Sequence, residues 1–511
     1  LAPASNMKLL TSAAALYYLG PEFRYATFLM TDGDVANGVL GGDLIIYGTG
    51  DPTLSDRFYS SKTAVWEALA DTLLAQGITE IRGDIVGDAS YFGGTSVGVG
   101  WQESYMNASY AAPASALSFN DNIVTLRILP GEQPNWRPRV QLIPGGEGIG
   151  IVNQATTRAG GRALQVGRVS YDGPIVLSGA IPPGHPGMWR AVPVADPARY
   201  TAAVVREVLE KRGIRVAGGI RAVQREAESP LTGRSVFAPA FDGKSALTVL
   251  AVHQSPPLRN ILEVVNKKSH NLYAELVMRT VGRVALGEGT VEAGARAVHH
   301  MLERETGAKL PDLAIYDGSG LSPLNRVSAA HLIRLLEFMA RSPMAEPFFA
   351  TLPEAGAPDG LRRMYRTAAE RNLRAKTGTI DRVSALSGYV RSADGERLAF
   401  SIISNDVPST WRAKRVEDAI GAWLAAFRRS TGGRVVVSPI AAQTATSAAP
   451  ATRDTSGVSS ASGAQRTYTI RRGDTLEGIA KRLGLTVRAL LDANPGINPR
   501  RLMPGQVIRL P

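Results

Sequence analysis

Ser5 and Lys8 stand three residues apart at the front of a stretch whose apolar residues recur at helical spacing. Met7, Leu10, Ala14, Tyr17 and Tyr18 mark the pattern, and Gly20-Pro21 stops it. On a helix, positions i and i+3 share a face, so the two side chains sit one above the other. A serine hydroxyl is a weak nucleophile at neutral pH, and a neutral amine in hydrogen-bond reach can take its proton. Lysine is neutral only where burial or a nearby cation lowers its pKa. A bare Ser-x-x-Lys is more often a solvated surface pair, so the pattern carries weight only if the chain supplies partners. It does so twice. Ser269-His270-Asn271 precedes an apolar helical run (Leu272, Leu276, Val281), and Lys376-Thr377-Gly378 lies in a β-like stretch from Leu373 to Ile380.

The 511 residues suggest two to four domains, and 44% hydrophobic content is ample for a sizeable core. There is no cysteine, so neither disulfides nor thiolate metal sites hold the fold. The net charge of +12 favours polyanionic surroundings: nucleic acid, anionic lipid or an anionic cell-wall polymer. No local basic cluster with interleaved aromatics is present, which disfavours nucleic acid. There is no signal peptide and no run long enough to span a membrane. The chain begins with Leu only four residues before Ser5, which reads as a truncated or processed N-terminus, so the missing signal says little about location.

Along the chain, Gly38 to Pro52 reads as a strand with a glycine-rich end. It is not a phosphate loop, because no helix opens after it and Asp51-Pro52 breaks the pattern. Ala64 to Ile85 and Ala202 to Val223 both read as a helix, a glycine stop and a strand: a weak internal duplication or ordinary α/β punctuation. Val140 to Ile143 and Val166 to Ser170 are strand candidates, and the whole of 31–245 is expected to be strand-rich. Helices are expected at Leu247 to His253, Leu258 to Lys267, Leu272 to Leu286, Val291 to Thr306, Ala329 to Ala340 and Arg412 to Phe427. Strands are expected at Arg374 to Thr379, Leu386 to Arg391 and Leu398 to Ser404, the last two joined by a turn at Ala393 to Glu396. Residues 429–466, rich in Ser, Thr, Ala and Gly, read as a flexible linker. A compact segment, 467–511, follows.

The order S-x-x-K, S-x-N, K-T-G is the set found in penicillin-binding proteins and serine β-lactamases. From residue 1 to about 428 the chain resembles the D-alanyl-D-alanine carboxypeptidase/endopeptidase family, the class C low-molecular-mass penicillin-binding proteins. Gly42-Asp43-Leu44, Gly50-Asp51-Pro52, Asp317 to Ser322 with Asn325-Arg326, and Leu386 to Tyr389 are further family-like features. So is the interval of 264 residues (269 − 5) between Ser5 and Ser269, far longer than in class A β-lactamases. The resemblance implies an α/β multi-domain chain with a penicillin-binding protein/β-lactamase-like (DD-peptidase) fold. Residues 1–30 and 246–428 would be its two parts and 31–245 the inserted domains.

The resemblance also implies the roles. Ser5 attacks the D-Ala-D-Ala peptide bond and forms an acyl-enzyme, and Lys8 is the general base. Ser269 relays a proton to the leaving amine, and Asn271 holds the substrate amide and Lys8. Lys376 and Thr377 bind the terminal carboxylate, and Gly378 lets the strand lie close to substrate. The N–H groups of Ser5 and Thr379 form the oxyanion hole. His270 is expected in the cleft wall, and Asn120 or Asp121 against the peptide stem. Pro323 follows Ser322 where several relatives place an arginine, with Arg326 three residues on. No metal and no cofactor are implied, and β-lactams are expected inhibitors. In this fold, elements preceding the nucleophile complete the sheet. Their absence here predicts an open sheet edge and a Ser5 helix whose start is unfixed.

The last segment resembles a LysM domain, of order strand, helix, helix, strand. Its matching residues are Tyr468-Thr469-Ile470, Gly473 to Leu476, Ile479-Ala480, Leu490-Leu491, Asn494-Pro495, Leu502, Pro504 to Gln506 and Ile508. LysM domains recognise N-acetylglucosamine-containing glycans, so both halves point to peptidoglycan and to a periplasmic or cell-envelope location. Two rival readings remain. A serine β-lactamase needs a fast deacylation base, and no convincing carboxylate loop for one is present. A non-catalytic wall-binding protein is disfavoured by the intact motifs. The sequence does not give the oligomeric state.

Overall fold

The computed structural model describes residues 1–146, 148–232, 247–308, 310–429, 467–470, 474–483, 485–494, 497 and 506–510. The chain divides into two compact units, Leu1–Val437 and Ser438–Pro511. The expected linker lies outside the described residues from 430 to 466.

The larger unit is organised around helix α1 (Met7–Tyr18), which a single 3-10 turn, Ala4–Asn6, precedes. Every residue from Met7 to Leu16 is buried. Apolar residues on all sides suit a helix at the centre of a packed layer, and they leave Lys8 no route to bulk water. Helices α2 (Ala64–Ala75) and α3 (Pro197–Lys211) belong to the middle region. Around α1 pack α4 (Leu258–Lys267), α5 (Asn271–Leu286), α6 (Val291–Thr306), α7 (Ala329–Arg341) and α8 (Ala345–Thr351), which share one apolar cluster with it. Thr290 and Ser328 cap α6 and α7 with side-chain oxygens that accept from Ala293 N and His331 N.

An antiparallel sheet of three strands, Arg374–Ile380, Val383–Arg391 and Arg397–Ser404, stands beside this layer. Helix α9 (Thr410–Ala426) covers one face through Leu424 and Ala425 against Leu386 and Val390. Among the described residues no strand pairs beyond Arg397–Ser404. The start of the Ser5 turn, however, is fixed, contrary to expectation. The Asn405 side chain accepts from Ala2 N at 2.7 Å and donates to Ala2 O at 3.0 Å, and Val327 N donates to Leu1 O at 2.8 Å. Asn405, just after the third strand, thereby ties Ala2 to the sheet.

The described residues of 31–245 are strand-rich, as expected. A five-stranded sheet runs in the order Ile220–Val223, Ile85–Asp88, Leu44–Gly48, Ala26–Thr31, Thr248–Gln254. The first three are mutually parallel and the remaining pairings antiparallel. The two helix–glycine–strand segments lie side by side: Arg215–Val216 pairs with Glu80–Ile81 and Ile220–Val223 with Ile85–Asp88, both in parallel. One expectation fails. Leu247 to His253, read as a helix, is the strand Thr248–Gln254 at the sheet edge. β-Branched Thr248, Val249 and Val252 suit a half-exposed pleat, and the antiparallel partner Ala26–Thr31 supplies the hydrogen bonds.

The smaller unit pairs Thr467–Thr469 with Val507–Arg509 around helices Leu476–Leu483 and Val487–Asp492. Tyr468, Ile470, Leu476, Ile479, Ala480, Leu490 and Ile508 form its core. The strand–helix–helix–strand order is the expected one. Gly473, Pro495, Leu502, Pro504 and Gly505 of the expected motif lie outside the described residues. Among the described residues no helix is long and apolar enough to cross a membrane.

Candidate active site

The three motifs converge. Ser5 sits in the 3-10 turn at the mouth of α1, and Lys8 one turn deeper places Nζ 3.0 Å from Ser5 Oγ. The same nitrogen lies 2.7 Å from Asn271 Oδ1, at the start of α5, and 2.7 Å from the Ser319 carbonyl. An ammonium donates to all three oxygens. A neutral amine has two N–H groups, so donating them to Asn271 and Ser319 turns its lone pair on Ser5 Oγ. Burial pulls Lys8 down to about 7, against the opposing pull of Asp317 and Glu275.

Asn6 donates from Nδ2 to the Lys376 carbonyl at 2.9 Å, which docks the Ser5 turn on the Lys-Thr-Gly strand. Lys376 Nζ reaches Ser269 Oγ at 2.9 Å and its neighbouring Thr377 carbonyl at 2.9 Å. Lys376 is buried, and that burial, reinforced by the Lys8 charge, pushes its amine well below the ordinary range. A carboxylate arriving here would favour the charged form. Ala4 and Ser269 both have left-handed backbone, with φ +47° and +55°. Such conformations in non-glycine residues cost of order 1–3 kcal/mol and cluster where geometry is imposed by function.

Gly378 and Gly320 are required for reasons the sequence did not give. A Cβ at Gly378 would stand 2.8 Å from Pro3 O and 3.0 Å from Ser5 N, so it is the Ser5 turn itself that approaches the strand. Gly320 has φ +82°, and a Cβ there would fall 1.8 Å from Ala4 O. Gly378→Ala is accordingly expected to push Ser5 off its position and slow acylation about 100-fold while leaving the melting temperature nearly unchanged. Stopped-flow acylation beside a thermal melt checks both halves.

Asn271 does hold Lys8, and its Nδ2 donates to the Tyr110 carbonyl at 2.9 Å, which leaves its second N–H for a substrate. Thr377 and Thr379 lie on the same strand beside the Ser5 turn. The His270 ring lies 4.4 Å from that of Tyr273, and its Nε2 is 3.3 Å from Asp121 Oδ2. Arg57 donates to the same carboxylate oxygen at 2.9 Å. Burial opposes the charge of Asp121, yet His270 and Arg57 hold it down at about 2. Asn120 accepts from Lys62 at 2.6 Å. Both residues expected at the stem are therefore engaged by side chains of this chain. Arg326 turns back onto the Pro323 and Asn325 carbonyls.

Three participants escaped the sequence reading. Asn6 was hidden between the two motif residues. The Ser319 carbonyl carries no side-chain signal. Glu275 is a carboxylate inside the apolar run Leu272 to Met278, one turn after Asn271; an acidic residue amid apolar ones was the available sign.

Residues 1–427 match the D-Ala-D-Ala carboxypeptidase 3 (S13) family, and residues 468–511 match the LysM domain. The chain is 32% identical over 463 residues to a D-alanyl-D-alanine carboxypeptidase of Actinomadura sp. (strain R39), covering 86% of this chain and 80% of that one. It is 26% identical over 404 residues to the D-alanyl-D-alanine carboxypeptidase DacB of Haemophilus influenzae, covering 78% and 79%. The crystal structure of penicillin binding protein 4 (dacB) from Haemophilus influenzae superimposes with a TM-score of 0.66 at 26% identity, covering 80% of this chain and 86% of that one.

Proposed function

Because the chain belongs to the D-Ala-D-Ala carboxypeptidase 3 (S13) family and ends in a LysM domain, and so is a serine-type hydrolase of D-Ala-D-Ala bonds, we propose that Ser5 is its nucleophile and Lys8 its general base. The observation that carries this is the Lys8 nitrogen, buried and held by Asn271 and Ser319 against Ser5 Oγ. Residues 1–30 and 246–428 are read as the two parts of the peptidase domain and 31–245 as its insert.

In this reading Lys8 accepts the Ser5 proton as Oγ attacks the carbonyl carbon of the penultimate D-alanine. The N–H groups of Ser5 and Thr379 take the developing oxyanion. Lys376 and Thr377 receive the terminal carboxylate, the anion whose arrival stabilises the Lys376 ammonium. Gly378 admits the Ser5 turn to the strand. Ser269, hydrogen-bonded to Lys376 at 2.9 Å, relays to the leaving nitrogen the proton that Lys8 took from Ser5, so Lys8 is again a neutral base for the later water and Lys376 stays an ammonium against the terminal carboxylate. The C–N bond breaks, D-alanine departs, and water later hydrolyses the Ser5 ester.

Peptidoglycan stem peptides are the substrate class, and cleavage of the D-alanyl cross-links between stems is included as endopeptidase action. A LysM unit that binds N-acetylglucosamine glycan supports a periplasmic or cell-envelope location. The test is mass spectrometry of defined muropeptides digested by the full-length protein. Loss of one alanine from pentapeptide stems supports the reading, and intact stems overturn it.

The tail acts by raising local substrate concentration rather than by new contacts at Ser5. A chain ending at residue 429 is expected to keep its penicillin acylation rate and to sediment several-fold less with insoluble peptidoglycan. Equal sedimentation of both lengths would remove the targeting role.

A further inference from the structure

Helix α5 sets Lys8 from two places. Asn271 at its start accepts from Lys8 Nζ directly. One turn later, on the same face, stands Glu275, with only 1% of its surface exposed. Its Oε1 accepts from Ser319 N at 2.9 Å, and its Oε2 from Gly318 N at 3.2 Å. The carboxylate therefore grips two successive N–H groups of the turn whose Ser319 carbonyl meets Lys8 Nζ at 2.7 Å. The turn lies hard against α5, since a Cβ at Gly318 would stand 2.6 Å from Ala274 O. Thr11, on α1, donates to the Gly318 carbonyl at 2.6 Å. Behind Glu275, Arg279 Nη1 approaches Oε2 at 3.4 Å, and Arg279 Nη2 donates to Thr95 O at 2.7 Å.

This pair is costly. Two ions in a nearly dry interior gain little net stability over apolar residues of the same size, whereas removing one partner alone is strongly destabilising. Asp317 neighbours the pair, and its own carboxylate is already saturated by Gly320 N, Ser322 N, Asn325 Nδ2 and Trp101 Nε1 at 2.6–2.9 Å. The Asp317 contacts shape the loop. The Glu275 contacts fix the one carbonyl that touches Lys8.

We propose that Glu275 is a positioning residue for Lys8: by holding the 318–319 turn it aims the Ser319 carbonyl so that the lone pair of the amine faces Ser5. The proposal rests on Lys8 being the base. It also has an electrostatic signature. Glu275 is pushed up to about 7 by burial and by Asp317, and its negative charge raises Lys8. The charged groups around Lys8 are Asp317 on the loop, Glu275 on α5 and Lys376 on the strand. Arg279 lies behind Glu275, with Glu292 of α6 acting on that arginine. The acidic limb of the acylation profile therefore belongs to Lys8 and Glu275 together.

The experiment measures the second-order rate of acylation by a fluorescent penicillin from pH 5 to 9 for the full chain and for Glu275→Gln, Glu275→Asp and Lys8→Met, each with a thermal melt. Glu275→Gln replaces one acceptor by a donor facing the turn and removes the charge. Its maximal rate is expected to fall 10- to 100-fold, with the acidic limb moved about half a unit or more to lower pH. Glu275→Asp keeps the charge but is one methylene short of the turn, so the rate falls and the limb stays. A rate loss in Glu275→Gln with an unmoved limb, or no loss in either variant, overturns the proposal. If Glu275→Gln does not fold, Glu275→Asp decides through its rate alone. A wild-type rate in Lys8→Met would instead overturn the base assignment, so the two failures are distinct.

Discussion

Ser5→Ala is expected to abolish covalent labelling by a fluorescent penicillin and hydrolysis of D-Ala-D-Ala peptides together, by at least about 1,000-fold, because in the proposed mechanism both reactions form their ester at the one hydroxyl removed. The fold should survive. Ser5 is half-buried, its turn is pinned by Ala2 to Asn405 and by Asn6 to the Lys376 carbonyl, and neither clasp uses the hydroxyl. An unchanged melt with no fluorescent band on a denaturing gel is the expected pair of results. Stoichiometric labelling of the variant would place the nucleophile elsewhere.

Lys8→Met should come close to it. Methionine approximates the lysine stem in shape and fits the buried site, but it cannot take a proton, and a positioned general base is worth about 10²–10⁴-fold. The same assignment fixes the sign of the pH dependence. Only the neutral amine accepts the proton of Ser5, and burial brings Lys8 to about 7. Acylation of the unmodified chain should therefore rise as pH climbs through about 7 and flatten above it. A profile flat from pH 5 to 9, or a methionine variant that acylates at the normal rate, would remove Lys8 from the chemistry.

The residues that the fold gathers at the candidate site were legible in the sequence because they stand at fixed local spacing. Ser5 and Lys8 share a turn, Ser269 and Asn271 open a helix, and Lys376 heads a strand whose glycine is conspicuous. The helices from 258 to 341 and the last three strands of the larger unit followed from periodicity. What escaped depends on contacts between distant segments. Leu247 to His253 contains Leu, Ala and Val in a run short enough for either period. Only its pairing with Ala26–Thr31, more than 200 residues earlier, makes it a strand. The reason for Gly378 was legible only as freedom to approach something; that the something is the Ser5 turn required the fold. The pairing of Asp121 with Arg57 and His270 could not be read from its neighbours in the chain.

The clasps that assemble the site join residues far apart in the chain: 311 residues between Lys8 and Ser319, 370 between Asn6 and Lys376, 403 between Ala2 and Asn405. Each closes a long loop, and the entropy of closure must be met before any contact repays it. Topologies of this kind fold slowly. On the proposed roles, a chain that has not yet closed these contacts lacks Ser5, Lys8 and Lys376 in one place, so a nascent or half-folded molecule has nothing with which to cut a peptide. Acylation competence on this reading requires the strand at Arg374–Ile380 to be docked on the turn at Ser5. During refolding from denaturant, covalent labelling should lag behind the recovery of helical circular dichroism, and the lag is a clock for completion of the native topology.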